Sequence, residues 1–223
     1  MYNHLPAQLK NRYIIARHGF SLANNAGLIC SNPDIAIPEE GGPQGTGWGL
    51  HERGKEQVRE SAVRLSQHLF PGQQASSDRV KMFCSPFVRT RQTAEIIRSV
   101  LNETVQADID SVTPDLALRE RWYAEFDMTN DENYKVCWKD DAGPDHGENS
   151  QYGIESPSSV ADRSTRFIQS IEEQLENKII ILVAHGDICQ IMQTAFYRWE
   201  AWQHRQMEHV DTANWRDMSA EAK

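Results

Sequence analysis

The 223-residue chain predicts an α/β fold around a largely parallel sheet, and three observations carry that expectation. Two apolar runs, Tyr13-Ile14-Ile15-Ala16 and Ile179-Ile180-Ile181-Leu182-Val183-Ala184, are rich in β-branched residues, as strands covered on both faces require. Each run leads into a histidine and a glycine, Arg17-His18-Gly19 and His185-Gly186, so each strand delivers an imidazole to its carboxyl end. Open α/β sheets place their ligand crevice at that end. Around the two runs, strand-like and helix-like patterns alternate.

The elements follow in order. After the first strand, Cys30 to Gly49 is rich in proline and glycine and reads as a surface loop. A helix is expected from about His51, with Val58, Ala62, Leu65 and Leu69 as its apolar stripe and Pro71-Gly72 as its stop. Val80 to Cys84 is the next strand, and Thr90 to Leu101 a helix burying Ala94, Ile97, Val100 and Leu101. A short strand is expected over Val105 to Ile109. From Phe126 to Ser156 the chain is rich in Asp, Glu, Asn and Gly with little periodicity. It reads as a long cap carrying Tyr134 and Trp138 as isolated anchors. Pro157 opens a helix with Val160, Phe167, Ile168, Ile171 and Leu175 on its core side. The last strand leads into a helix from Asp187 that turns Ile188, Ile191, Met192 and Ala195 inward. Beyond Trp199 no pattern dominates, and Phe196, Trp199 and Trp202 are expected in the core, with a hydrophobic patch for self-association as the alternative. The length fits one domain, 1–223, with a cap-like insertion at about 125–156.

Composition narrows the function. A net charge of −9 argues against a nucleic-acid partner and requires any phosphate site to be a local positive pocket. The longest apolar run, Ile179 to Ala184, is too short to cross a membrane, and Met1 to Lys10 lacks the order of a signal peptide. Cys30, Cys84, Cys137 and Cys189 form no CxxC pair, which fits a reduced, cytoplasmic protein. His51, His68, His146, His204 and His209 have no partners at metal-ligand spacing, so neither a metal nor another cofactor is expected. The acidic cap reads as a solvated surface, with selection against polyanionic substrates as the alternative.

Two histidines and an arginine at one sheet edge make an anion site that contains a nucleophile. Arg17-His18-Gly19, followed by Ser21 and Asn24, resembles the phosphate loop of the histidine phosphatase superfamily, the phosphoglycerate mutase-like family. Four more segments resemble the family in its order. They are Leu50-x-x-x-Gly54-x-x-Gln57, the Ser85-Pro86 turn with Arg89, Leu118-Arg119-Glu120-Arg121, and Ala184-His185-Gly186-Asp187. The resemblance implies a three-layer α/β/α fold with a mostly parallel central sheet.

It also implies that His18 attacks phosphorus, that Arg17 and Arg89 clamp the phosphoryl oxygens, and that His185 gives a third donor. Neutral imidazole suits the first task and a bidentate guanidinium the second. Ser21, Asn24 and Gly186 would line the phosphate, and Glu120 would be the general acid and then the base on water. Two rivals stand beside these roles. Asn24 also suits a helix cap, and Asp187 competes for the acid, since another branch of the superfamily uses an Asp after its second histidine. Arg91 and Arg119 read as surface or supporting residues.

The expected function is a metal-independent phosphomonoesterase acting on a small phosphorylated metabolite through a phosphohistidine at His18. A phosphoglycerate mutase-type phosphotransferase is the runner-up. Against it, Phe20 and Ala23 replace the Glu and Trp of the mutase pattern, and Arg121-Trp122-Tyr123-Ala124 departs from its Arg-His-Tyr-Gly. A catalytically inactive phospho-ligand binding module is the third reading. The intact set Arg17, His18, Arg89, Glu120 and His185 weighs against that. Nothing in the sequence marks the natural substrate or the oligomeric state.

Overall fold

The structure is a computed structural model that describes residues 2–76 and 78–219. Strand β1 (Arg12–Arg17) is followed by the short helices α1 (Leu22–Ala26) and α2 (Pro33–Ala36), then by the long helix α3 (Glu52–Leu69). Next come β2 (Val80–Cys84), α4 (Val88–Val105) and β3 (Val112–Pro114). The chain continues with α5 (Tyr134–Asp141), α6 (Pro157–Gln174), β4 (Ile179–Ala184), α7 (Gly186–Tyr197) and β5 (Trp215–Asp217).

The sheet order is β3-β2-β4-β1-β5. The first four strands are parallel, and β5 adds an antiparallel edge against β1. Strand period 2 divides the core in two. On one face Ile14, Met82, Ile181 and Val183 pack with Val58, Leu65 and Ile97 of α3 and α4. On the other face Tyr13, Ile15, Ile180 and Leu182 pack with Ile168, Ile188 and Met192 of α6 and α7. This is the expected three-layer α/β/α arrangement. All six residues of β4 are buried, which is why that run reads as continuously apolar.

Three local expectations are corrected. No strand forms over Val105 to Ile109. Val105 completes α4 one turn after Leu101, and the strand beside β2 is Val112–Pro114. Ala107 and Ile109 are buried, but they fill the core from a connecting loop. The Cys30–Gly49 loop is not wholly superficial, because Cys30, Ala36 and Trp48 bury against Ala23 and Phe87. The cap is more ordered than its composition suggests. Helix α5 places Tyr134, Cys137, Trp138 and Asp141 on one side, where Cys137 joins Ile29, Tyr123 and Ile154 in a small core. Of the aromatics beyond α7, Trp199 is 44% exposed rather than buried, and Trp202 stacks on His146 with ring centroids 4.2 Å apart.

Candidate active site

The parallel register of β1 and β4 sets Arg17 opposite Ala184, so the residues that follow, His18 and His185, emerge side by side. Their ring centroids lie 5.2 Å apart. Strand β2 is the other neighbour of β4 and brings Ser85 to the same edge. Arg89 comes from the first turn of α4, and Glu120 from the loop after a 3-10 turn at Leu116–Leu118.

Hydrogen bonding fixes which nitrogen of each imidazole is basic. His18 Nδ1 lies 2.8 Å from the Gly19 carbonyl, which only accepts, so Nδ1 carries the proton and Nε2 the lone pair. Arg89 Nε reaches that Nε2 at 3.2 Å. In His185, Nδ1 accepts from Arg89 Nη2 at 3.1 Å, leaving Nε2–H to donate to Ser85 Oγ at 2.8 Å. Burial first, then the nearby arginines, push His18 well below its ordinary pKa. Burial, Arg89 and His18 do the same to His185. Both rings are therefore neutral.

Arg17 and Arg89 are only partly paired. Arg89 Nη2 also donates to the Cys30 carbonyl, and Arg17 Nη1 bonds His209 Nε2 and the Val210 carbonyl. Yet Arg89 Nη1 and Arg17 Nε are buried with no partner among the described residues. Unpartnered buried donors are costly and rare. A cavity of about 250 Å³ lies against these side chains, lined among others by Arg17, His18, Ser21, Asn24, Arg89, Glu120, Gly186 and Asp187. A Cβ on Gly186 would come within 3.3 Å of the Arg17 guanidinium, so the glycine is what lets that group lie flat there. A larger cavity of about 560 Å³ lies elsewhere, along Arg91, Gln92 and Val112, and no histidine lines it.

The carboxyl groups separate cleanly. Glu120 is buried, 3.7 Å from Arg89 Nη2 and 3.5 Å from His185 Nδ1. Burial raises its pKa to about 7, with Asp187 reinforcing and Arg89 opposing. Asp187 is held differently. Burial favours its neutral form, but His204, Arg121 and the Tyr123 hydroxyl outweigh that and keep it ionised. It also accepts from Trp138 Nε1 at 3.1 Å.

The expected site residues thus converge, with two qualifications. Ser21 and Asn24 form the capping box of α1, so Asn24 does cap, and its Oδ1 is occupied by Ser21 while the residue still lines the cavity. His185 is not among the residues that line the cavity; its Nδ1 accepts from Arg89 Nη2 at 3.1 Å, so it braces that guanidinium. Arg91 pairs with Glu39 and Arg119 with Glu155, both in supporting positions. Sequence reading missed Tyr123, Asp131 and His209 as lining residues, and saw Tyr134 and Trp138 only as anchors. The i, i+3, i+4 spacing of Tyr134, Cys137 and Trp138 was the available signal for the last two.

The model of the histidine phosphatase superfamily (branch 1) matches residues 13–222. The chain belongs to that superfamily. By family it is a histidine phosphatase, and solved structures agree on the fold. A mycobacterial glucosyl-3-phosphoglycerate phosphatase in complex with VO3 superposes with a TM-score of 0.68 at 19% identity, covering 92% of this chain and 90% of that one. Bacillus stearothermophilus YhfR gives 0.64 at 18% identity over 92% and 89%. No curated protein matches by sequence. No helix among the described residues is long and apolar enough to cross a membrane.

Proposed function

We propose that this histidine phosphatase hydrolyses a small phosphomonoester through a phosphohistidine at His18, without a metal ion. The observation that carries the reading is a neutral His18, its Nδ1 held by the Gly19 carbonyl and its Nε2 beside Arg89, lining one cavity with Arg17, Arg89 and Glu120. The Nε2 lone pair forms the P–N bond while the ester P–O bond breaks. Arg17 and Arg89 stabilise charge on the equatorial oxygens. Nδ1–H keeps its bond to the Gly19 carbonyl, which shares the positive charge that develops on the ring. Glu120, still protonated near pH 7, gives its proton to the leaving oxygen. As a carboxylate it then takes a proton from water, whose oxygen attacks phosphorus as the P–N bond breaks. Inorganic phosphate leaves, and His18 and Glu120 are restored. His185, fixed by Ser85, holds Arg89 in place.

Residues 125–156 act in this reading as a cap closing one wall of the cavity, over a single catalytic domain. The four cysteines are free and buried, consistent with a reducing cytoplasm. Rapid acid-free quenching on p-nitrophenyl phosphate tests the proposal. A base-stable, acid-labile phosphoryl group is expected on the wild type and none on His18→Ala. Wild-type turnover without any trapped phosphoryl group, or unimpaired turnover by His18→Ala, overturns it.

A further inference from the structure

The far wall of the cavity bears on which ester is cleaved. Beyond the arginines it is formed by Tyr123, Tyr134 and Trp138, with Asp187 and Asp131 as carboxylates. Among the described residues the lining offers two guanidinium groups, Arg17 and Arg89, the two that the proposed mechanism assigns to the phosphoryl oxygens. Arg205, outside the lining, lies over the Trp138 ring, 3.8 Å from its centroid, and pairs with Asp187 at 3.7 Å. Arg121 is likewise committed, bidentate to Asp141 at 2.5 and 2.7 Å. His209 bonds Arg17, and burial and that arginine push its pKa down, so it supplies no second positive charge.

A second anionic group on the substrate would therefore find no free cation. It would instead meet Asp131, a carboxylate on the lining with no ion pair among the described residues. The neutral polar group on this wall is the Tyr134 hydroxyl, which has no hydrogen-bond partner among the described residues and can pair with an alcohol. Asp187 does not invite an ammonium group either, since Tyr123, Trp138, Arg121 and Arg205 already occupy its oxygens. The size agrees. A volume of about 250 Å³ falls below the usual range of roughly 300–1,000 Å³ for drug-sized ligands and suits a small ester.

We propose that the site takes the monophosphate of a small, uncharged, hydroxylated alcohol, and that Asp131 turns away substrates carrying a second anionic group. This rests on the phosphatase reading above and adds the substrate class. Like charges brought together across a recognition surface exclude the wrong ligand more than they strengthen the right one.

The test compares glycerol 3-phosphate with 3-phosphoglycerate, which differ by a hydroxymethyl against a carboxylate, and includes phosphoethanolamine and p-nitrophenyl phosphate. The wild type should favour glycerol 3-phosphate over 3-phosphoglycerate in kcat/KM by about tenfold or more. In Asp131→Asn that ratio should shrink by about threefold or more, through a lower KM for 3-phosphoglycerate. Because the readout is a ratio within one variant, a general loss of activity cancels. Equal or reversed preference, a ratio unmoved by Asp131→Asn, or a clear preference for phosphoethanolamine overturns the proposal. So does turnover of p-nitrophenyl phosphate with none of the three alcohol esters. Failure on p-nitrophenyl phosphate as well would instead overturn the phosphatase reading on which the proposal rests.

Discussion

The Tyr123 hydroxyl donates a 2.6 Å hydrogen bond to Asp187 Oδ2, and that bond helps to separate the two carboxyl groups of the site. Asp187 is held ionised by this donor and its cationic neighbours, whereas buried Glu120 retains its proton to about pH 7. A group that must donate a proton to a leaving alkoxide has to carry one. On the proposed mechanism, this difference in environment favours Glu120 over Asp187 as the acid.

Glu120→Gln should lower kcat on an alkyl phosphate by about 10²–10⁴-fold. The loss should shrink on p-nitrophenyl phosphate, whose phenolate departs with little protonation. On that substrate the variant should accumulate phosphohistidine, because no base remains to activate water. Asp187→Asn should lack this dependence on the leaving group. Steady-state and quench kinetics on the two substrates decide the matter. The opposite pattern would assign the acid to Asp187.

The pH profile should carry the same signature. His18 is pushed well below its ordinary pKa, so the nucleophile stays neutral into acid solution. Hydrolysis of an alkyl phosphate should fall as pH rises through about 7, where Glu120 loses its proton. The Glu120→Gln profile should show no such limb. A wild-type profile flat from pH 6 to 9 would contradict the assignment.

Stability follows from the same proton. The folded pKa of Glu120, about 7, lies above the ordinary 4.5, so the folded state holds more protons between those values. Stability therefore falls as pH rises through that window, and the full cost is present above it. Glu120→Gln removes the buried charge. It should be more stable than wild type by about 3 kcal/mol at pH 8 and by nothing at pH 4, as read by chemical denaturation. An equal effect at both pH values would mean that Glu120 is not held protonated by its surroundings.

Much of this site was legible because its residues stand at strand ends whose apolar runs are unmistakable. His18 and His185 follow β1 and β4, and adjacency of the two strands does the rest. What stayed hidden depends on contacts that no local pattern records. Val105 favours a strand by its branching, yet its place four residues after Leu101 lets it extend a helix against the core. Strand β5 has three residues and owes its existence to the exposed edge of β1. The bracing role of His185 is a matter of tautomer, set by Arg89 on one nitrogen and Ser85 on the other. Cap residues Tyr134 and Trp138 sit on a polar eight-residue helix, where their i, i+3, i+4 spacing with Cys137 spans little more than one turn and is easily passed over.

If Arg17 and Arg89 supply the positive charge at the phosphoryl position, as proposed, activity should survive excess EDTA. Orthovanadate should inhibit, since its trigonal-bipyramidal form matches in-line transfer to His18. Loss of activity in EDTA that a divalent ion restores would overturn metal-independent catalysis. Insensitivity to vanadate would count against a phosphoryl-transfer site.

The loop that carries His18 rests on α3 through a contact only glycine permits. A Cβ on Gly54 would stand 2.0 Å from the Phe20 carbonyl oxygen and 2.8 Å from the Phe20 nitrogen, and one on Gly19 would meet the Gly54 carbonyl at 2.7 Å. Phe20 N–H donates in turn to Gln57 Oε1 at 3.3 Å, which ties the loop to the next turn of the helix. Gly54 and Gln57, a spaced pair in the sequence, thus both serve the contact between α3 and the histidine loop. Gly54→Ala must push helix and loop apart, at a cost of about 1–3 kcal/mol. The shift reaches His18, two residues before Phe20, and a misplacement of about 1 Å is worth roughly 10²-fold in rate. The variant should therefore melt earlier. Where it is still folded, it should lose kcat on p-nitrophenyl phosphate far more than it gains in KM. A folded Gly54→Ala protein with wild-type kcat would show that the nucleophile is positioned without this contact.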